Sequence, residues 1–162
     1  MKILARSLCL LTAVMLLACS SPAADWNEAT SQGTAAAYQS FLTKYPNDPH
    51  AADARKRFQS IQDGEAWINA QTTNSVDSYQ QYIAAEPQGA MVQQAHNQIT
   101  ALQRAAAWQE AKNAGTAPAL QAFLQKYPEG AEADQARTQL VAVCATMKKS
   151  HQRCEVPKPV GT

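Results

Sequence analysis

Valine and isoleucine are scarce in this chain of 162 residues, and thirty-two alanines stand in their place. β-Branched residues favour strands and alanine is the strongest helix former, so the composition speaks against a sheet-rich fold and for an all-α chain. Charge is sparse as well: Asp, Glu, Lys and Arg make up 17% of the residues, with no basic run. A chain without a basic stripe has no electrostatic footprint for nucleic acid, which is therefore not expected as a partner. The three histidines, His50, His96 and His151, are widely spread. No Gly-rich phosphate loop, His-Glu-x-x-His pair or nucleophile elbow occurs, and no nucleophile stands in a recognisable pattern with a base. His151 and Cys154, three residues apart, come nearest to a metal-ligand pair, and Cys154 has a competing use given below. Neither an enzyme nor a metal or cofactor is expected.

Apolar runs are missing too, except at the start. In "MKILARSLCLLTAVMLLA", Lys2 and Arg6 precede a short apolar stretch over Leu8–Leu17. That stretch is too short for a comfortable membrane span and ends in small residues, the pattern of a secretory leader over residues 1–18. Without Lys2 and Arg6, twelve basic residues face thirteen acidic ones. The following "LLACSS", Leu16–Ser21, resembles the lipobox of bacterial lipoproteins, with Cys19 as the acylated residue. The alternative is a plain leader cut after "SPA", Ser21–Ala23. Ser20 after the cysteine, by the same resemblance, implies sorting to the outer membrane. Each buried methylene contributes about 0.8 kcal/mol, so the several acyl chains (palmitate among them) that the resemblance implies would hold the protein permanently. An extended tether between Cys19 and Trp26 reaches about 3.4 Å per residue, which keeps the folded body close to the lipid.

The body repeats itself. "FLTKYP" at Phe41–Pro46 returns as "FLQKYP" at Phe123–Pro128, with "YIAAEP" at Tyr82–Pro87 between them. Trp26, Trp67 and Trp108 keep the same interval of 41 residues, as do Ala54, Ala95 and Ala136. Ungapped comparison of Trp26–Ile61 with Trp108–Val143 gives sixteen identities in thirty-six positions. A fixed period of this kind marks stacked supersecondary units. The expected fold is a short α-solenoid of three 41-residue helical hairpins, over about 25–65, 66–106 and 107–149. Residues 19–24 form the lipidated terminus and tether, and 150–162 a tail.

Within each unit, Thr34, Ser75 and Thr116 are placed to cap a short helix. Tyr38, Phe41, Leu42 and Tyr45 form the apolar stripe of the first such helix, and Leu120, Phe123, Leu124 and Tyr127 that of the third. The proline of "KYP" then pushes the residue before it out of the helical region and ends the helix. A second helix is expected to start just past it, with Asp48 as cap and Pro49 at its first position. Gly89 and Gly130 stand in the Asp48 column, where flexibility replaces the cap. The second helix of the middle unit is expected to run on through Trp108, whereas Gly64 suggests a bend at the corresponding earlier junction.

Several features carry two readings. Cys144 and Cys154 are the pair left after Cys9 and Cys19 are assigned to the leader and the lipid. In an oxidising compartment they form a disulfide that contributes on the order of 2–3 kcal/mol; otherwise they are two thiols. The repeated tryptophans fill junctions between hairpins, or they build a ligand cage. Arg55, His96 and Arg137 share one column, and Glu28, Asn69 and Glu110 another. The first column is a candidate interaction strip, or the two pair with each other on a solvated face. In the middle unit Glu86 stands for a core tyrosine and Ala85 for lysine, which either opens a local pocket or is drift.

The segment "AYQSFLTKYPNDPHAADAR", Ala37–Arg55, resembles the tetratricopeptide-type helical repeats of Gram-negative envelope proteins. Its aromatic-Leu-x-x-Tyr-Pro ending is similar to that in the lipoprotein subunit of the β-barrel assembly machinery and in the periplasmic partner of the Tol-Pal system. Those repeats run about 34 residues against 41 here. The resemblance implies a lipid-anchored helical scaffold on the periplasmic face of the outer membrane. It would bind periplasmic or outer-membrane proteins in envelope assembly, secretion or cell-wall maintenance. The alternative is a structural spacer or peptidoglycan-associated lipoprotein without a specific protein client.

Overall fold

A computed structural model describes residues 21–147 of the chain. The leader expected over 1–18, the acylation candidate Cys19, and His151, Cys154 and the tail over 150–162 lie outside the described residues. Seven helices occur among those described: α1 (Pro22–Gln32), α2 (Ala35–Lys44), α3 (Ala51–Thr73), α4 (Val76–Ala85), α5 (Val92–Ala114), α6 (Ala117–Lys126) and α7 (Ala131–Met147). The fold is all-α, with short helices alternating with long ones from α2 onward and neighbours packing pairwise along the chain. This is the arrangement of a helical-repeat protein. No described helix is long and apolar enough to cross a membrane.

The short helices stop for one reason, three times. Tyr45, Glu86 and Tyr127 precede a proline, leave the helical region (φ −132, −123 and −133°), and each donates its N–H to the carbonyl four residues back at 2.8 Å. Their starts differ. Thr34 Oγ1 accepts from Ala37 N–H, and Ser75 forms a reciprocal capping box with Ser78. Thr116 has the extended backbone of a cap but no side-chain bond; Pro118 in the first turn removes one of the N–H groups a cap would satisfy.

Two expectations are corrected. The second helix begins at Ala51, not at Pro49. Asp48 Oδ1 is taken by the backbone N–H of His50 at 2.8 Å and faces the His50 ring at 2.9 Å, which closes a turn before the helix. Helix α3 is continuous through Gly64, from Ala51 to Thr73. Gly89 serves close approach rather than flexibility: a Cβ there would strike Asp63, the Tyr82 hydroxyl and the Glu86 carbonyl. Gly130, in the same column, does use glycine's freedom, with φ at 101°.

The chain divides into two compact units, Met1–Ile61 and Gln62–Thr162. In the first, Ala29, Tyr38, Phe41 and Ala54 are buried, with Trp26, Leu42, Tyr45, Phe58 and Ile61 packed around them. The second holds two clusters. One centres on Trp67, Ala70, Tyr79, Tyr82 and Ala95; the other on Trp108, Leu120, Phe123, Leu124, Ala136 and Leu140. Each cluster takes the end of one helix, a whole short helix and the beginning of the next. Alanine recurs where two helices approach: Ala54, Ala95 and Ala136 are all 0% exposed.

Candidate functional site, a groove that occurs three times

Each tryptophan lies in the core of its own cluster. Trp67 packs on Tyr79 and Tyr82 with ring centroids 5.6 and 5.3 Å apart, and Trp108 on Phe123 at 5.2 Å. Both are buried. Trp26 is half-buried against Tyr38 and Phe41, with the His50 ring stacked on it at 4.8 Å and the Arg57 guanidinium 5.7 Å from its centroid. Interactions of this geometry use the indole as packing surface and leave no open cage.

The arginine column is occupied locally. Arg55 Nη2 donates to the Pro46 carbonyl at 2.8 Å, and Arg137 Nη2 donates to the Pro128 carbonyl. Arg137 also pairs with Asp134 at 2.9 Å. The acceptors are thus the carbonyls of the helix-ending prolines, nine residues upstream, rather than the glutamates of the other column. His96 is exposed; its backbone carbonyl accepts the Thr100 hydroxyl at 3.0 Å, and no hydrogen bond to its ring occurs among the described residues. Arg55 and Arg137 thus make the same local bond within their own units.

A different set of columns does converge. Between α1 and α2 lies a groove of about 140 Å³, walled by Asp25, Glu28, Ala29 and Gln32 on one side and Ala37, Ser40, Phe41 and Lys44 on the other. Forty-one residues on, Ala66, Asn69, Ala70 and Thr73 of α3 face Ser78, Gln81, Tyr82 and Ala85 of α4 across about 220 Å³. A third groove, of about 400 Å³, sets Ala107, Glu110, Ala111 and Ala114 of α5 against Ala119, Ala122, Phe123 and Lys126 of α6, with Tyr127 added. All eight positions correspond from one groove to the next. The growth in volume follows the side chains: Gln32 and Ser40 become Ala114 and Ala122.

Charge also changes from groove to groove. In the first, Lys44 Nζ reaches across to Asp25 Oδ2 at 3.1 Å, and that bond raises the lysine pKa above its usual value. Tyr45 donates its hydroxyl to the same carboxylate at 3.0 Å. In the second, Asn69 and Ala85 leave both positions neutral. In the third, Glu110 and Lys126 restore an acid and a base, but Ala107 stands in place of Asp25. Neither Glu110 nor Lys126 forms an ion pair among the described residues. Lys126 Nζ instead lies 5.3 Å from the Tyr127 ring centroid.

The Glu28–Asn69–Glu110 column and the loss of lysine at Ala85 are visible in the sequence. That they belong to one groove is not, because its opposite walls come from different helices.

No group of three or more His, Cys, Asp or Glu residues able to hold a metal occurs among the described residues. Cys144 is buried in the third cluster and is disulfide-bonded; Cys154, its expected partner, lies outside the described residues. No family model, curated protein or solved structure matches this chain.

Proposed function

We propose that this protein is a lipid-anchored, non-enzymatic scaffold that binds other proteins on the periplasmic face of the outer membrane. Its place would be in envelope assembly, secretion or cell-wall maintenance. The observation that carries the reading is the recurrence of one groove at equivalent positions in all three repeats. Stacked helical repeats present equivalent surfaces along the chain, and repeat proteins use such surfaces for binding, which supports the reading. We read the finer architecture as a three-unit α-solenoid of tetratricopeptide type. One core cluster per 41-residue period supports it.

The start of α1 supports Cys19 as the anchor. Ser21 caps the helix through Ala24 N–H, and Pro22 opens it. Cleavage after Ala23 would remove both, whereas cleavage before Cys19 keeps them. Because α1 begins at Pro22, a helix rising about 1.5 Å per residue stands where the tether was expected over residues 22–24.

Crosslinking in intact cells followed by mass spectrometry tests the reading. A discrete protein client is expected. Recovery with cell-wall fragments alone would favour a structural spacer. Cys19→Ala should move the protein from the membrane to the soluble fraction, and undiminished membrane retention would defeat the anchor.

A further inference from the structure

We propose that the third groove is the recognition site of the scaffold, and that it takes a segment of a partner protein with a defined charge order. The segment seats a large apolar side chain against Phe123, turns an acidic residue toward Lys126 and a basic residue toward Glu110. This rests on the protein-binding reading above and assigns it to one place.

Comparison of the three grooves singles out the third. The first is small, about 140 Å³, and its lysine is already held by Asp25. The second has no charge at either position. Only the third combines the largest volume, about 400 Å³, with an acid and a base that make no ion pair among the described residues. Its walls are alanine at five positions, so an incoming side chain meets methyl groups and the Phe123 and Tyr127 rings rather than water. An apolar anchor with charged residues at the rim is how compact protein interfaces divide affinity from specificity.

The charges also give a direction. Helices α5 and α6 are joined through Gly115 and Thr116, so Ala114 and Ala119 lie at the closed end and Lys126 at the far end. Glu110 sits on the opposite wall, closer to the closed end. A segment with acid and base reversed would place like charges together at both rims, which penalises the wrong orientation. A polyanion such as nucleic acid meets the same penalty at Glu110. A chain of mixed side chains does not.

The test is to pan a phage-displayed library of random dodecapeptides on the purified full chain. Two variants are panned beside it: the double charge swap Glu110→Lys with Lys126→Glu, and Ala122→Trp, which fills the groove. Glu110, Lys126 and Ala122 are all exposed, so these changes leave the core intact, and circular dichroism checks that they do. Enriched peptides should share a large apolar residue between opposite charges, the swapped protein should enrich the reverse order, and Ala122→Trp should weaken the best peptide at least tenfold. Peptides bound equally by all three proteins overturn the groove and leave a scaffold that binds elsewhere. Failure to enrich any peptide overturns both readings. Self-association abolished by Ala122→Trp overturns the proposal by naming a second copy of the chain as the occupant.

Discussion

The Tyr82 hydroxyl donates to Asp63 Oδ1 at 2.6 Å and accepts the Met91 N–H at 3.0 Å. Asp63 Oδ2 also accepts the Ala90 N–H at 3.0 Å, so one carboxylate and one phenol tie α3, α4 and the start of α5 together. Replacing Tyr82 by Phe should lower stability by about 1–3 kcal/mol in denaturant unfolding, since a hydrogen bond to a charged acceptor is lost.

The same pair predicts an alkaline effect. Burial, with the Asp63 carboxylate beside it, raises the Tyr82 pKa above the ordinary phenol value. The folded state therefore holds this proton more tightly than the unfolded chain does. The stability is complete below about pH 10 and is lost as pH rises through the folded value. Tyr82→Phe should decline less steeply in alkali than the parent; parallel curves would remove the assignment.

Gly64 in α3 and Gly89 in the loop between α4 and α5 should respond in opposite directions. A Cβ at Gly64 meets nothing within 4 Å, in the middle of a continuous helix. Gly64→Ala should therefore stabilise by about 0.5–1 kcal/mol. Gly89→Ala drives its methyl into Asp63, Tyr82 and backbone, and should destabilise by roughly 1–3 kcal/mol. Equal melting temperatures for the two variants would contradict the geometry.

Trp67→Ala should lower stability by roughly 3–5 kcal/mol, because a buried indole touching Tyr79 and Tyr82 leaves a cavity. An unchanged melting curve would return this residue to the surface and revive the ligand cage.

The pairing of Cys144 with Cys154 is checked by mass. Intact protein should weigh two daltons less than the reduced form, and a tryptic or equivalent digest should release the two cysteines in one linked fragment. Separate fragments under non-reducing conditions would exclude the bridge.

Much of the fold was legible because its signals are local and repeated. A proline after an aromatic residue ends a helix whatever surrounds it, and Tyr38–Phe41 spacing marks a buried face without reference to any other segment. What escaped the sequence depends on meetings between segments. The helix after Pro49 starts late because Asp48 prefers the His50 N–H, a competition that composition does not rank. Arg55 and Arg137 read as an interaction strip or as partners of the glutamate column because their acceptors are backbone carbonyls, which every residue has and no letter marks. Gly64 read as a weak point since its environment was unknown, whereas Gly89 read as loose when there is no room beside it for a Cβ. The groove was hidden for the same reason: Glu110 and Lys126 are sixteen letters apart, on helices that must first fold against each other.

Helix α5 contributes Ala95 to one core and Trp108 to the next. A rod shared in this way transmits disorder: loosening the packing around Leu140 should fray the helix backward toward Ile99. Amide exchange along Val92–Ala114 is then governed by whichever of its two anchorages yields first, and the pair melts in concert although no side chain need pass between them.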